Sequence, residues 1–138
     1  MEIYKILVAV DGSEYGDKAF EHAAMMCKNQ KSLLLIVHII EEPGNIGYSI
    51  SNQLEQDSNL ILQKYKTKAE SMGLQSSLKI IQDRGFSVAE KILEIAEREK
   101  VNIIVVGPKG QKLTDQYLLG STAYKVPHYS KCSVVIVK

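Results

Sequence analysis

The segment Ile103-Ile-Val-Val-Gly-Pro-Lys-Gly110, followed after nine further residues by Gly120-Ser121-Thr122, carries the strongest structural signal in the chain. Its continuous apolar start is typical of a buried strand. The two glycines that follow allow a turn with positive φ and a close approach of the backbone to a ligand. The third glycine opens an apolar-patterned stretch, and the N–H groups at a helix start can bind an anion. Strand, glycine loop and helix start together predict a phosphate-binding cradle.

Apolar runs and helical patterns alternate along the chain. Strands are predicted over Ile3–Val10, Ser32–Ile40, Leu78–Gln82, Asn102–Val106 and Ser133–Val137. Helices are predicted over about Ser13–Asn29 and Asn52–Met72, from the capping box that opens at Ser87, and from near Gly120 to before Cys132. Within the last helix, Pro127 is expected to cause a kink or an early end. Continuous apolar runs indicate strands that are covered on both faces. The order of elements therefore predicts an α/β fold, a doubly wound five-stranded parallel sheet with helices on both faces.

Length, charge and cysteine content limit the classes of protein to which this chain could belong. A chain of 138 residues predicts one domain over residues 1–138. Seventeen basic residues oppose sixteen acidic ones, so no global field favours nucleic acid or a membrane surface, and an anion site must be local. No apolar run is long enough to span a bilayer, and no secretory signal is visible. Cys27 and Cys132 are interpreted as reduced thiols, with a disulfide or metal role as the alternative. We expect a cytoplasmic protein.

A second candidate ligand loop, Asp11-Gly12-Ser13, follows the first predicted strand. Ligands of doubly wound sheets bind beyond the carboxyl ends of the strands, where the strand order reverses, so this turn and the glycine loop could meet there. Asp11 could accept hydrogen bonds from ribose hydroxyls or help to hold a metal; alternatively, it caps the first helix. Lys109 could pair with phosphate or be an ordinary solvated lysine, and the same alternatives apply to Lys112.

No catalytic apparatus is evident in the sequence. The glycine spacing is neither that of a Walker A loop, which ends in Gly-Lys-Ser/Thr, nor that of the dinucleotide fingerprint. His22, His38 and His128 are scattered and are interpreted as structural. Because no general base can be named, the residues alone predict no enzymatic role.

The chain resembles the small single-domain members of the universal stress protein family. The resemblance rests on Ile6-Leu-Val-Ala-Val-Asp-Gly-Ser13, on Leu35-Ile-Val-His-Ile39, on Val105-Val-Gly-Pro-Lys-Gly110 with Gly120-Ser121, and on the closing stretch from His128 to Val137. It covers essentially the whole chain. The family's nucleotide-binding signature, Gly-x2-Gly-x9-Gly-Ser/Thr, is present without insertion or deletion. The resemblance implies the Rossmann-like fold described as adenine nucleotide alpha-hydrolase-like.

The resemblance also implies a set of contacts with ATP. Ala9, Val10 and Asp11 would line the adenosine end, and Ile39 would cover the adenine. Ribose and phosphates would be wrapped by Val106, Gly107, Lys109 and Gly110, and the phosphates held by Gly120, Ser121 and Thr122. A divalent ion, Mg²⁺ or Mn²⁺, would bridge phosphate oxygens with few protein ligands.

The function implied is that of an ATP-binding regulatory switch in the stress response. The alternatives are a dimeric scaffold whose site is empty or takes another adenosine ligand, and a slow ATP hydrolase. The resemblance places the last strand, residues 133–137, at a sheet edge where a homodimer would pair. The segments Glu41–Ser51 and Gln111–Leu118 lack clear periodicity. Residues 41–53 are expected to be the most mobile part of the protein without ligand, and nucleotide is expected to order some of them; the alternative is a flexible connection without a role.

Overall fold

A computed structural model describes residues 3–42, 44–110 and 119–138. Within these ranges the elements follow the order β1 (Tyr4–Ala9), α1 (Glu14–Asn29), β2 (Ser32–Glu41), α2 (Tyr48–Ser71), β3 (Leu78–Gly85), α3 (Val88–Arg98), β4 (Ile103–Val106), α4 (Ser121–Tyr129) and β5 (Ser133–Ile136). The five strands pair in parallel in the order β3-β2-β1-β4-β5. The predicted α/β fold is therefore confirmed.

Successive residues of the central strands enter two separate cores. Ile6 and Val8 of β1 pack with Phe20 of α1 and Tyr65 of α2. Leu7, between them, packs on the opposite face in the cluster that contains α3 and α4 residues. Because side chains alternate along a strand, a sheet covered on both faces needs apolar residues at every position, which explains the continuous runs.

The order of the strands reverses between β1 and β4. The chain moves from β1 outward to β2 and β3, then crosses back to β4 on the other side of β1. The loops that leave the carboxyl ends of these two adjacent strands lead to helices on opposite faces of the sheet, α1 and α4. The region between the two loops, beyond the strand ends, is where doubly wound sheets bind ligands, and it is called the crevice below. The two loops singled out in the sequence lie at this point.

Several predicted boundaries are corrected by the structure. Helix α2 begins at Tyr48 rather than at Asn52, although its N-cap residue, Gly47, supplies no side-chain hydrogen bond. The first turn shows no apolar period because Tyr48 and Ile50 are exposed. Strand β3 extends to Gly85 because its polar end stays in register with β2, with Asp83 opposite Ile39.

The predicted helix signals at Ser87 and Pro127 agree with the structure. The Ser87 hydroxyl accepts a hydrogen bond from the Glu90 N–H at 3.2 Å, which forms the N-terminal cap of α3. Pro127 lies inside α4, and the helix ends soon after it, at Tyr129. In the part of the chain that the structure describes, no helix is long and apolar enough to cross a membrane.

Candidate functional site

The two loops that border the crevice approach each other closely at the carboxyl ends of β1 and β4. A Cβ atom added to Gly107 would lie 3.0 Å from the carbonyl oxygen and 3.1 Å from the Cβ of Tyr15 in α1. A Cβ atom added to Gly110 would lie 2.8 Å from Oδ2 of Asp11. The structure thus brings the Asp11 turn and the glycine loop, which are nearly a hundred residues apart, into one place.

The backbone angles correct the predicted reason for these glycines. Neither Gly107 nor Gly110 has φ in the left-handed region, and Gly120 has a φ of −69°. The residue that takes the left-handed conformation is Gly12, with a φ of 83°. Gly107 and Gly110 are therefore required by the close approach of α1 and Asp11, and positive φ is required in the other turn.

Asp11 accepts hydrogen bonds from the N-cap residue of α1 and is not itself that residue. Its Oδ1 accepts hydrogen bonds from the backbone N–H of Ser13 at 2.9 Å and from the Ser13 hydroxyl. Ser13 is the N-cap of α1, and its oxygen accepts a hydrogen bond from the Gly16 N–H at 3.1 Å. The alternative that Asp11 itself caps the first helix is therefore wrong. These bonds fix the carboxylate so that Oδ2 faces the glycine loop.

The start of α4 is tied to the same loop. The Gly120 N–H donates a hydrogen bond to the Pro108 carbonyl at 2.8 Å, and Gly120 is the N-cap of the helix. Ser121 is exposed and Thr122 is half-buried in its first turn. The first N–H groups of a helix have no acceptor within the helix, and the helix dipole favours an anion there. The geometry at Gly120 is therefore suited to phosphate.

Lys109 is not a solvated loop lysine. Its side chain is buried, with a relative exposure of 8%, and its ammonium lies 5.3 Å from the centre of the Tyr15 ring. A cation over an aromatic face is held by the ring quadrupole. The structure therefore places this charge inside the crevice region, against α1. Lys112 lies outside the described residues.

The apolar residues implied at the adenosine end belong mainly to the two cores. Val10 packs among residues of α1 and α2, whereas Ile39 and Val106 pack on the α3 and α4 face, and all three are buried. Ala9 is partly buried against the second cluster. Any ligand contact from these four residues would therefore be made largely by backbone atoms at the strand ends.

Tyr65 of α2 is a residue that sequence reasoning missed. Its fully buried hydroxyl donates a hydrogen bond to Oδ1 of Asp17 in α1. Burial, and then the Asp17 carboxylate, raise the pKa of Tyr65, so the hydroxyl stays protonated and can donate. Only the helical period of α2 was visible in the sequence, and that period does not show which turn the hydroxyl reaches.

Gly16 was also missed, although a glycine in the first turn of a helix is a usable signal. A Cβ atom added to Gly16 would lie 2.8 Å from Oδ1 of Asp11 and 3.2 Å from the Asp11 backbone nitrogen. The start of α1 must therefore lack a side chain here if the Asp11 carboxylate is to keep its position.

His38 lies in a polar cluster formed by β2, α2 and β3. Its Nδ1 is 2.6 Å from the Ser58 hydroxyl of α2, which also accepts a hydrogen bond from Gln82 Nε2 at 3.0 Å. Since Gln82 supplies one proton to that oxygen, the serine proton is available to Nδ1 of a neutral imidazole. Burial lowers the pKa of His38, and the nearby Asp11 carboxylate partly opposes this change. The structural interpretation of His38 is consistent with these contacts.

The described residues do not form a metal site by themselves. Among residues 3–42, 44–110 and 119–138, no group of three or more His, Cys, Asp or Glu side chains could hold an ion. The Asp11 carboxylate and the hydroxyls of Ser121 and Thr122 are hard oxygen donors of the kind that Mg²⁺ accepts. They fit an ion that takes most of its ligands from phosphate and water.

Comparison with known proteins identifies relatives over the whole chain. The model of the universal stress protein family matches residues 2–138. Universal stress protein YxiE of Bacillus subtilis is 32% identical over 148 aligned positions, which cover 97% of this chain and 98% of that protein.

Two solved structures share the fold and were determined with adenine nucleotides. A universal stress protein in complex with cAMP superposes with a TM-score of 0.77 at 22% identity, covering 98% of this chain and 97% of that one. The universal stress protein of Archaeoglobus fulgidus in complex with dAMP superposes with a TM-score of 0.76 at 18% identity, with both chains covered completely. From the match over nearly its whole length, the chain belongs to the universal stress protein family.

Proposed function

We propose that this chain binds ATP in the crevice between the Asp11 turn and the loop that runs from Gly107 to Gly120. The observation that carries the proposal is the contact of Gly110 with the Asp11 carboxylate, because it joins a carboxylate and a glycine-rich helix start in one site. Two proteins of the same fold were solved with cAMP and dAMP, which supports an adenine nucleotide as the class of ligand.

Each end of the site would recognise a different part of the nucleotide. At the adenosine end, Oδ2 of Asp11 would accept a hydrogen bond from a ribose hydroxyl, while Oδ1 stays bound to Ser13. The strand ends at Ala9, Val10 and Ile39 would face the base. At the phosphate end, the backbone N–H groups at the start of α4 would donate to phosphate oxygens, as helix N-termini commonly do.

The glycine loop would lie between these ends. Val106, Gly107 and Gly110 would follow the ribose and phosphates through backbone atoms, since a side chain at either glycine would need its neighbours to move. Lys109 would add a positive charge next to the phosphates. A bound Mg²⁺ or Mn²⁺ would neutralise phosphate charge and would be held chiefly by phosphate oxygens and water.

We propose a regulatory role for this site rather than catalysis. Binding would change the conformation of residues 41–53, and a homodimer would form through the free edge of β5. The other candidates are a scaffold that takes a different adenosine ligand and a slow ATP hydrolase. A measured ATP turnover above background would favour the hydrolase.

Calorimetric titration of the parent protein with ATP, AMP and adenosine, with and without Mg²⁺, tests the proposed site. We expect ATP to bind more tightly than adenosine, because only the nucleotide reaches the start of α4. Mass spectrometry of ligand released from the purified protein identifies the adenosine compound carried. Absence of binding at millimolar concentrations of all three compounds would reject the proposal.

A further inference from the structure

Tyr65 of α2 lies against the start of α1, next to the turn that follows β1. Tyr65 lies on the face of α2 that packs on the sheet and is fully buried. Its ring lies against Phe20 of α1, with 5.1 Å between the ring centres. Because the ring is packed on α1, its hydroxyl is directed to the first turn of that helix.

The Tyr65 hydroxyl meets this turn at several points. It donates to Oδ1 of Asp17, and it would lie 3.5 Å from a Cβ atom on Gly16. Burial and the Asp17 carboxylate raise the pKa of Tyr65, and the Gly12 backbone N–H opposes this change. Gly12 is the residue with positive φ between Asp11 and Ser13. The hydroxyl is therefore hydrogen-bonded in the first turn of α1 and lies beside Gly16, the residue against which the Asp11 carboxylate packs.

We propose that Tyr65 is a positioning residue for the adenosine end of the site, where its hydroxyl holds the Asp11–Gly12–Ser13 turn against α1. This inference rests on the proposed nucleotide binding. The hydroxyl acts through the turn: when the turn is held, Oδ2 of Asp11 faces the crevice. Without the hydroxyl, the turn has additional conformations, and the carboxylate is presented to a ribose for only part of the time.

The change Tyr65→Phe separates this role from packing. Phenylalanine keeps the ring and its contact with Phe20, and it removes the oxygen alone. The partner left behind is not a buried unpaired charge, because the Asp17 side chain is 34% exposed and lies 3.5 Å from Lys64 Nζ. We therefore expect a small loss of thermal stability and a larger loss of affinity.

The experiment compares the parent, Tyr65→Phe and the matched control Tyr129→Phe, which removes the hydroxyl of an exposed tyrosine at the end of α4. Dissociation constants for adenosine and ATP are measured by calorimetry well below the melting temperature. If the turn of Tyr65→Phe presents the Asp11 carboxylate about one-tenth of the time, Kd for adenosine rises about tenfold, and this is the rise we expect. ATP should weaken by the same factor, because the phosphate end is untouched. Tyr129→Phe should bind as the parent does.

A second measurement reports the conformation of the Asp11–Gly12–Ser13 turn in the ligand-free protein. In the amide NMR spectrum of Tyr65→Phe, the resonances of Gly12 and Ser13 should move and the Gly12 amide should exchange faster, while Tyr129→Phe leaves them unchanged. Loss of melting temperature alone, with an unchanged Kd for adenosine, would show that the hydroxyl is only structural and would overturn the inference.

Two further outcomes are distinguishable. If Tyr65→Phe does not fold, Asp17→Ala removes the acceptor of the hydroxyl from a partly exposed position, and the same rise in Kd is expected; an unchanged Kd overturns the inference. If the parent binds neither adenosine nor ATP, the proposed function fails, and the positioning role fails with it. A parent that binds both while Tyr65→Phe binds equally well overturns the role of Tyr65 alone.

Discussion

Oδ2 of Asp11 lies so close to Gly110 that a Cβ atom at that position would be 2.8 Å from it. This distance is shorter than van der Waals contact, so no other residue fits at position 110 without movement. The contact joins the loop after β1 to the loop after β4 across the point where strand order reverses. It also means that the shape of the crevice depends on the absence of one methyl group.

The first prediction concerns that methyl group. In Gly110→Ala, the new Cβ displaces the end of the Asp11 side chain, which weakens its hydrogen bonds with Ser13 but leaves the strands and helices in place. Kd for ATP should rise about tenfold, while the free energy of unfolding falls by about 1 kcal/mol or less. Calorimetry and urea unfolding check the two quantities. An alanine variant that binds ATP as tightly as the parent would show that Asp11 does not contact the ligand.

The second prediction concerns Gly107. Here the nearest atoms belong to the Tyr15 backbone and Cβ, at 3.0 to 3.2 Å, and a helix backbone cannot rotate away as a side chain can. Gly107→Ala should therefore lower the free energy of unfolding by about 1–3 kcal/mol. Gly47→Ala is the control, because a Cβ atom there has nothing within 4 Å and its φ is −58°. Equal stability of the two variants in urea unfolding would contradict the close packing of Gly107.

The sequence predicts the central strands well because burial on both faces leaves a continuous apolar run, as in Leu34–Val37. It predicts element ends poorly where tertiary contacts decide them. The polar end of β3 stays extended because it pairs with β2, and no property of Asp83 or Arg84 alone indicates this. The start of α2 is exposed and lacks a side-chain cap, so neither periodicity nor capping marks it.

At the candidate site too, local sequence patterns could be predicted, whereas tertiary contacts could not. The spacing of Gly107, Gly110 and Gly120 was visible because it is local in sequence. The contact of Tyr65 with Asp17 joins residues 48 positions apart, and helical periodicity assigns Tyr65 to a buried face without naming its partner. Sequence reasoning therefore located the glycine loop, whereas the residues that fix the Asp11 turn needed the packing of α2 on α1.

The third prediction concerns pH. Burial lowers the pKa of His38 below its ordinary value, so the unfolded chain binds this proton more readily than the folded one. The stabilising contribution is complete above the unfolded pKa of about 6.5 and is lost as pH falls towards the folded pKa. The slope contributed by one proton is at most about 1.4 kcal/mol per pH unit.

Urea unfolding between about pH 5.5 and 7.5 checks this expectation. The parent should lose stability as the pH falls, and His38→Gln should lose less. His22→Gln, at an exposed position of α1, is the control and should follow the parent. If His38→Gln and the parent have the same pH dependence, the half-buried His38 imidazole does not control stability in this range.

The fourth prediction concerns the edge of the sheet. In the described part of the chain, β5 pairs with β4 on one side only. The Val137 N–H donates to the Val106 carbonyl at 2.9 Å, so by the alternation of a parallel ladder the Val134 N–H points to the free edge. Val134→Pro removes this donor and leaves the bonds to β4 in place, since proline is accepted in edge strands.

Sedimentation velocity then reports the oligomeric state. We expect the parent to sediment as a dimer and Val134→Pro as a monomer with an unchanged circular dichroism spectrum. Ser133→Ala keeps every backbone N–H and should sediment as the parent does. A parent that is monomeric at tens of micromolar would contradict pairing through β5.

The last prediction concerns residues 41–53, whose described ends are held together by Arg84. Nη1 of Arg84 lies 2.5 Å from Oε1 of Glu42 and 2.8 Å from the Ser51 hydroxyl, and Nη2 lies 3.6 Å from Oε2 of Glu55. These contacts connect the end of β2 with the start of α2 across the polar end of β3. A nucleotide that orders this segment must therefore act together with an ion-pair cluster that already restrains it.

Arg84→Gln should speed hydrogen exchange in residues 44–51, because Glu42, Ser51 and Glu55 lose the cation that they share in this partly buried cluster. Saturating ATP should slow exchange in the same residues in the parent, since the segment leaves β2 beside Ile39 at the adenosine end. Arg98→Gln, which removes an exposed arginine paired with its neighbour Glu99 on α3, is the control and should leave this exchange unchanged. If ATP binds but exchange in residues 44–51 does not change, the segment does not transmit the bound state, and another surface must do so.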